Sequence, residues 1–472
     1  MQLALIVQLS IAMLAGELAG TLPATPAVGA GALVAGPAAC LLIGALLAAR
    51  AVGGMDRRDH RAVDRALAFR RAAPWLATAP ILLAASSALP TAIDEVAGPL
   101  AVTTVLLLSG VLSILATEAA LWPVERRLRE AVLVRELDAG RTVHPVPTRG
   151  AFVLAKARAG LGPFLVPLLV PVVASEAARV AATRAWPDHV AEAQLAGAAA
   201  GALLLFATVP LLVPFLLGLE RMAPGPMRDD LAALSRAAGV RVRDIWVWPT
   251  HGLSANAAVM GVLPGLRCVM LTDALLECLP RDEVRAVMAH ELGHVARRHM
   301  PWLLVVILGA WAAAALVATP LVSALVSSLG ERFADGLDDA GVARLADLAN
   351  IARDGTALVL GLWLFGYASR RFERDADTYA VELLSREEGS STATAGAVAA
   401  MRGALGTVAF LGHVPAERPS WRHGSIAWRQ SYLASIESRP LDGLPIRSTV
   451  ALLEWGAVAA LAASVALALL GG

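Results

Sequence analysis

The sequence predicts a polytopic α-helical membrane protein with a small α+β domain between its apolar segments. Of the 472 residues, 57% are hydrophobic, and the mean hydropathy of +0.63 exceeds that of ordinary globular domains. We expect about nine membrane spans, because that many stretches approach the roughly 20 apolar residues needed to cross a bilayer. They lie at about residues 2–22, 30–49, 73–90, 98–121, 160–178, 196–219, 302–328, 350–369 and 449–470.

The first apolar stretch is expected to remain in the mature protein as a spanning helix. It is too long for the apolar core of a signal peptide, no basic residues precede it, and it contains Glu17. Glu17 is either a functional group within the membrane or a carboxylate that is paired inside the helix bundle.

Composition excludes several other classes of protein. The three cysteines, Cys40, Cys268 and Cys278, have neither the spacing of a disulfide framework nor that of a CxxC zinc site. The net charge of +1 says nothing about partners, because the charges are segregated by loop; no nucleic-acid partner is expected.

The distribution of basic residues predicts how the spans are oriented. The loops after the second and fourth spans are rich in arginine, whereas the short loop between the third and fourth spans carries only Asp94 and Glu95. Because cytoplasmic loops carry the excess of Lys and Arg, we expect a cytoplasmic amino terminus and even-numbered spans that end in the cytoplasm. The expected location is the inner or plasma membrane of the cell, with the segment at about 329–349 outside.

This topology divides the chain into five regions. Residues 1–219 form a membrane region of about six spans, residues 301–369 form a membrane hairpin, and residues 448–472 form the final span. Residues 220–300 and 370–447 are polar and meet on the cytoplasmic side. Within residues 220–300 we expect a helix at about 227–238, a strand "DIWVWP", a hairpin-like pair "SANAAVMG" and "LRCVMLT", and a helix from about Arg281 to His299.

The last of these helices contains the pattern H-E-x-x-H. Its two histidines, His290 and His294, are four residues apart and lie on one face of a helix, where both imidazoles can bind one zinc ion. Glu291 lies one step around the helix, beside the water that such a site activates. The chain has only nine histidines, so the pattern favours a hydrolase with one Zn²⁺ per chain over a polar helix with two solvated histidines.

A zinc site of this kind needs a third protein ligand. His299 is expected to turn away from the metal, as a solvated or helix-capping residue, because it follows His294 by five residues on the same predicted helix. Two E-x-x-x-D stretches, Glu331 to Asp335 and Glu373 to Asp377, could each place a ligand and an orienting acid on one helical face. The predicted topology puts Glu331 outside and Glu373 on the cytoplasmic side, so it favours Glu373.

At this point the sequence resembles the zinc metallopeptidases of the CAAX prenyl protease type 1 and HtpX group. "HELGH" stands directly before a membrane hairpin, and "SRRFERDADTYA" follows the hairpin. The resemblance implies a cytoplasmic metallopeptidase domain of the gluzincin type, divided between residues 220–300 and 370–447. It also implies that Glu373 is the third zinc ligand and that Asp377 supports a ligand histidine.

Two further elements are similar to those of this family. "GLSANAAVMG" resembles the edge strand that binds an extended substrate, with Asn256 and Ala257 at its Asn-Ala pair. The implied substrate-binding residues are Ser254, Ala255, Asn256 and Ala257. "RHGSIAWRQ" resembles the His-Pro-Pro-x-x-x-Arg element, which implies a catalytic role for His423 and a supporting role for Arg429. Gly424 and Ser425 replace the two prolines.

These inferences predict a membrane-embedded zinc metalloendopeptidase that cleaves membrane-associated or misfolded proteins or peptides at the cytoplasmic face. Its expected partners are a protein or peptide substrate and the lipid bilayer. The pattern identifies neither a particular physiological substrate nor an oligomeric state. A site-two-type protease is disfavoured because Arg281, Asp282, Arg297 and Arg298 flank the motif. A BlaR-type sensor would show a carboxy-terminal extracellular ligand-binding domain, and an inactive scaffold or transporter would not need Glu291.

Overall fold

The computed structural model describes the chain except residues 1, 58, 139–142, 144, 251, 253–254, 262, 334–338, 413 and 471–472. The described residues are mostly helical. They form two compact units, Met1–Leu219 and Glu220–Gly472.

Helices build the first unit. In chain order they are α1 (Gln2–Met13), α2 (Ala15–Leu18), α3 (Pro26–Asp56), α4 (His60–Leu76), α5 (Thr78–Ser86), α6 (Leu89–Ala97), α7 (Pro99–Asp138), α8 (Arg149–Gly160), α9 (Gly162–Ala185) and α10 (Val190–Leu217), with a 3₁₀ turn at Pro187–His189. The longest of them, α7, packs against α3.

Several described helices meet the length and hydropathy of a membrane span. Four do so as single segments: Pro26–Asp56, Pro99–Ala131, His299–Leu321 and Ile446–Leu467. Two bent pairs, His60–Ser86 with Leu89–Ala97 and Pro187–Leu205 with Ala207–Leu217, would raise the number to six. The second pair bends by 60° around residue 206, whose carbonyl is the one that Pro210 deprives of a helical hydrogen bond. The count of nine spans stays a prediction.

The second unit contains a four-stranded sheet. Its strands are β1 (Glu220–Arg221), β2 (Asp244–Trp248), β3 (Ala257–Met260) and β4 (Cys268–Thr272), in the spatial order β1-β2-β4-β3. β2 and β4 are parallel, and the two outer pairs are antiparallel. Every residue of β4 is buried, as expected for a central strand, whereas β3 lies at an edge. The predicted strand and hairpin-like pair are therefore confirmed.

Eight helices of the described residues surround or extend from this sheet. They are α11 (Pro226–Ala237), α12 (Asp273–Cys278), α13 (Arg281–Ala296), α14 (His299–Phe333), α15 (Asp339–Glu387), α16 (Ala395–Leu411), α17 (Ile426–Ile436) and α18 (Ile446–Leu470). α11, α13, α15, α16 and α17 share one apolar core with the sheet. Met288 and Leu292 of α13 are fully buried in it, and each such side chain stabilises the fold by about 1.5–3 kcal/mol.

The helix predicted to run to His299 is interrupted. α13 ends at Ala296, and α14 begins at His299. Between them Arg298 adopts a left-handed backbone conformation with φ of 56°, which non-glycine residues seldom adopt. The chain therefore changes direction between His294 and His299, and a count of residues along one continuous helix does not apply to His299.

Candidate metal centre

α13 carries both histidines of the H-E-x-x-H pattern on the face that is turned toward α15. The helix starts after Pro280 with Asp282 and Glu283 in its first turn, where the helix dipole favours acidic side chains. Its opposite face buries Val284, Met288 and Leu292 in the apolar core, so the helix is fixed in rotation.

Gly293 allows α15 to lie directly against this helix. A Cβ atom at residue 293 would lie 3.1 Å from Tyr379 Cδ1 and 3.2 Å from the carbonyl oxygen of Ala376. These distances are shorter than ordinary contacts, so a larger residue would require Tyr379 or the backbone of α15 to shift by a few tenths of an ångström. Glu373 precedes Ala376 by about one turn on α15, and the close approach brings its carboxylate to the two imidazoles.

Three side chains converge on a point that could hold a metal ion. His290, His294 and Glu373 each offer one ligand atom, and these atoms lie within 4.8 Å of one another. The two Nε2 atoms are 3.3 Å apart, and each is 3.8 Å from an oxygen of Glu373. Bonds of about 2.0–2.1 Å to a tetrahedral zinc ion separate ligand atoms by about 3.3 Å. The donor set therefore fits zinc. The carboxylate oxygens lie somewhat farther from the two Nε2 atoms, at 3.8 Å, than the tetrahedral separation requires.

Glu373 is held in its ionised form. It is buried, with Oε1 2.9 Å from His423 Nδ1 and Oε2 3.3 Å from Arg429 Nη1. Burial by itself would raise the pKa of Glu373, but the hydrogen bond to His423 and the charge of Arg429 hold this pKa well below its usual range. The carboxylate is thus a charged candidate ligand with little contact with water.

Asp377 and Arg429 support His290 at Nδ1, the nitrogen that does not face the metal position. Asp377 is fully buried, lies 2.9 Å from His290 Nδ1, and accepts hydrogen bonds from Arg429 Nε and Nη2 at 2.7 and 2.6 Å. Burial would raise the pKa of Asp377, but the charge and hydrogen bonds of Arg429 lower it. A carboxylate beside Nδ1 favours the proton on that nitrogen, so Nε2 of His290 presents its lone pair to the metal position.

His294 is supported by His299, contrary to the sequence prediction. His299 is fully buried, and its Nδ1 lies 2.9 Å from His294 Nδ1. The prediction of a solvated or capping residue is therefore wrong, because the turn at Arg298 folds the chain back toward the site. Burial and the neighbouring His290 lower the pKa of His294 to about 3, so its imidazole is neutral, as a metal ligand requires.

Glu291 lies beside the metal position without being part of the ligand set. It is partly buried, and its Oε2 accepts a hydrogen bond of 3.1 Å from the backbone N–H of Val259 on β3. Burial raises the pKa of Glu291 to about 7, and the nearby charge of Glu373 acts in the same direction. A carboxyl group with this pKa can both take up and release a proton near neutral pH.

Comparison with known proteins identifies the part of the chain that contains these residues. Residues 229–435 match peptidase family M48. This region is a peptidase family M48 domain. The match confirms, for these residues, the family that the sequence resembles.

The relatives of the M48 domain align over shorter stretches. The chain is 36% identical to Protease HtpX of Hahella chejuensis (strain KCTC 2396) over 72 residues, which are 15% of this chain and 24% of that protein. It is 42% identical to Protease HtpX of Pseudomonas fluorescens (strain Pf0-1) over 67 residues, 14% of this chain and 22% of that protein. The chain thus spans about a quarter of the length of these relatives. The crystal structure of S. mikatae Ste24p aligns with 87% of this chain and 99% of its own, at 15% identity and a TM-score of 0.43.

The loop that carries His423 in the M48 domain departs from the His-Pro-Pro pattern. Gly424 adopts φ of +74°, and its backbone exchanges hydrogen bonds of 3.0 and 3.1 Å with Ser420. Proline, whose φ is fixed near −65°, could not form this turn. The replacement therefore changes the local backbone, while His423 still reaches Glu373 and Arg429 still reaches Asp377.

The predicted substrate strand lies beside α13 in the M48 domain. Ser254 is outside the described residues, as is Asp335 of the other E-x-x-x-D candidate, and Ala255 packs against the apolar core. The backbone N–H and C=O of Asn256 pair with Thr272 at 2.9 and 3.0 Å. Ala257 donates its N–H to the side chain of Asn256 (2.9 Å), and Val259 donates to Glu291. The N–H groups of Ala257 and Val259 therefore point to the free edge of β3.

Proposed function

We propose that the protein is a membrane-embedded zinc metalloendopeptidase that cleaves membrane-associated or misfolded proteins or peptides. The observation that carries this proposal is the convergence of His290, His294 and Glu373, with Glu291 beside them. These three residues would hold the ion, and three protein ligands are typical of catalytic zinc sites, whereas structural zinc sites have four. A bound zinc ion supplies a Lewis acid for the scissile carbonyl and lowers the pKa of water to about 7.

Glu291 acts as the general base and then as the general acid. Its carboxylate takes a proton from the attacking water and passes that proton to the leaving amine. Burial raises the pKa of Glu291 to about 7, and the charge of a bound zinc ion would lower this pKa and favour the ionised form that takes up the proton. Before substrate binds, the hydrogen bond from Val259 holds the side chain beside β3 and the metal position.

The edge of β3 binds the substrate as an additional strand. The N–H groups of Ala257 and Val259 point to this edge, where the side chains of Asn256 and Glu291 accept their hydrogen bonds until the carbonyl groups of a peptide replace them. An extended peptide that pairs there is recognised mainly through its backbone. Such binding tolerates many sequences, in keeping with unfolded substrates.

The proposed placement in the membrane follows the charge distribution. Residues 220–300 and 370–447 form the two parts of a cytoplasmic peptidase domain, joined by a membrane hairpin at 301–369. Residues 1–219 and 448–472 supply the other spans. The division of the described residues after Leu219 supports the boundary between the first membrane region and the peptidase domain. The basic loops support a cytoplasmic amino terminus in the cell membrane.

Removal of the metal is expected to abolish cleavage by the purified full-length protein. Casein cleavage in detergent should stop when a chelator such as 1,10-phenanthroline removes the metal, and one equivalent of zinc per chain should restore it. A non-chelating isomer of the same compound is the control for nonspecific inhibition. Cleavage that continues in metal-free protein would refute a zinc-dependent mechanism.

His423 is proposed to donate a hydrogen bond to the oxyanion of the tetrahedral intermediate. The His423→Phe variant should lower kcat by about 10²–10³-fold, the usual effect of losing one such donor. At saturating zinc the content should stay at one per chain, because His423 is not a member of the ligand set; zinc affinity should fall, because the variant loses the contact with Glu373.

Arg422→Ala, in the same exposed loop, is the control and should leave kcat unchanged. A His423→Phe variant with normal kcat would remove this residue from the mechanism. Measurement of kcat and KM for one fluorogenic peptide, together with metal content, separates a loss of catalysis from a loss of zinc.

A further inference from the structure

His299 lies between a metal-ligand candidate and a buried acid. Its Nδ1 is 2.9 Å from His294 Nδ1, and its Nε2 is 3.0 Å from Asp375 Oδ2. Both His299 and Asp375 are fully buried. The imidazole of His299 stacks on Phe372 with a ring separation of 4.8 Å and an angle of 1° between the planes. The ring is thus held in one orientation with both nitrogens occupied.

The order of these contacts determines where the protons reside. Asp375 also accepts a hydrogen bond of 2.8 Å from Arg447, and an ionised carboxylate can only accept. His299 must therefore donate through Nε2. A neutral imidazole that donates through Nε2 offers a lone pair at Nδ1, so His294 donates its Nδ1 proton to His299. The lone pair of His294 is then on Nε2, the atom that faces His290 and Glu373.

The contacts form a chain from α18 to the metal position. Arg447 stands in the first turn of α18, Asp375 lies on α15, and His299 is the first residue of α14. The arrangement matches the support of the other ligand, in which Arg429 holds Asp377 against His290. The difference is that the imidazole of His299 stands between His294 and Asp375, whereas Asp377 contacts His290 directly.

We propose that His299 is a positioning residue that fixes the tautomer and ring orientation of His294 for zinc binding. The proposal rests on the zinc-dependent function proposed above. Partners of this kind typically change metal affinity by about 10–100-fold when they are lost. His299 acts through His294 and contacts neither zinc nor substrate.

Zinc affinity of the full-length protein in detergent tests this role, measured by competition with a chromophoric chelator. His299→Phe keeps a ring for Phe372 but has no nitrogen, and should weaken zinc binding by about 10–100-fold. His299→Asn keeps an oxygen acceptor near the position of Nδ1, and should bind zinc within a few-fold of wild type. If His299→Phe does not fold, Asp375→Leu is measured instead and should also weaken zinc binding by about 10-fold or more.

Glu382→Gln is the matched control. Glu382 is buried on α15 and forms an ion pair of 2.7 Å with Arg297, so this pair also joins the end of α13 to α15. The variant should lower Tm without changing zinc affinity. Equal zinc affinity in wild type and His299→Phe, or equal losses in His299→Phe and His299→Asn, would overturn this inference alone. A wild-type chain that binds no zinc would overturn the proposed function and this inference together.

Discussion

The Glu291→Gln variant is expected to keep one zinc ion per chain and to lose peptidase activity by several orders of magnitude. General acid–base catalysis alone contributes about 10²–10⁴-fold, and here one side chain serves both proton transfers. Glutamine has nearly the same shape as glutamate but cannot take up the proton. Its carbonyl oxygen can still accept the hydrogen bond from Val259, so the fold and the edge strand should be preserved. Casein cleavage and zinc content of the purified variant are the two measurements.

Glu283→Gln provides the matched control for this variant. Glu283 lies in the first turn of the same helix, where its Oε2 accepts a hydrogen bond of 2.8 Å from Thr407, away from the metal position. This substitution should leave cleavage near the wild-type rate and lower stability slightly. Undiminished cleavage by Glu291→Gln would show that another group is the base, whereas a loss of zinc would show that Glu291 is part of the metal site.

The parts of the site that could be predicted from the sequence are those set by the spacing of residues within a single helix. His290 and His294 share a face because they are four residues apart, and the same spacing relates Glu373 to Asp377. The structure brings the ligand candidates together because the two helices pack closely at Gly293. The choice of Glu373 over Glu331 did not come from this spacing, which both stretches share, but from the predicted topology.

The role of His299 could not be predicted from helical periodicity. The prediction assumed an unbroken helix, and neither glycine nor proline at Arg297 or Arg298 indicates a break. Arg298 is exposed and adopts a left-handed conformation between the two helices, while the next residue, His299, is buried. Two signals were available: Pro301, which cannot donate a helical hydrogen bond to the carbonyl of Arg297, and the presence of His299 and Asp375 close to the two motifs.

The prediction of the number of spans is limited for a different physical reason. Composition identifies apolar stretches, but proline and short breaks divide some of them into bent pairs such as His60–Ser86 with Leu89–Ala97. Whether a bent pair crosses the bilayer once or returns to the same side depends on its packing partners. Hydropathy does not contain that information.

Glu373→Ala is expected to remove both zinc and activity, whereas Glu331→Ala should remove neither. Loss of one of three protein ligands leaves the two imidazoles of α13, which offer no negative charge to the ion. Asp377 retains both hydrogen bonds from Arg429, so α15 should keep its place in the core. Glu373→Gln tests this point further, because it keeps the size of the side chain and replaces a charged ligand by a neutral one.

Distance along the chain makes Glu331 a decisive control. It lies near the end of α14, which begins at His299 beside the metal position. From His299 to Glu331 a continuous helix carries the chain roughly 48 Å at a rise of about 1.5 Å per residue, while a zinc–carboxylate bond is about 2 Å long. Zinc content, casein cleavage and Tm should therefore match wild type in Glu331→Ala. Loss of the metal from Glu331→Ala and its retention by Glu373→Ala would reject both the ligand assignment and the proposed topology, because the third ligand would then have to reach the site from the far end of α14.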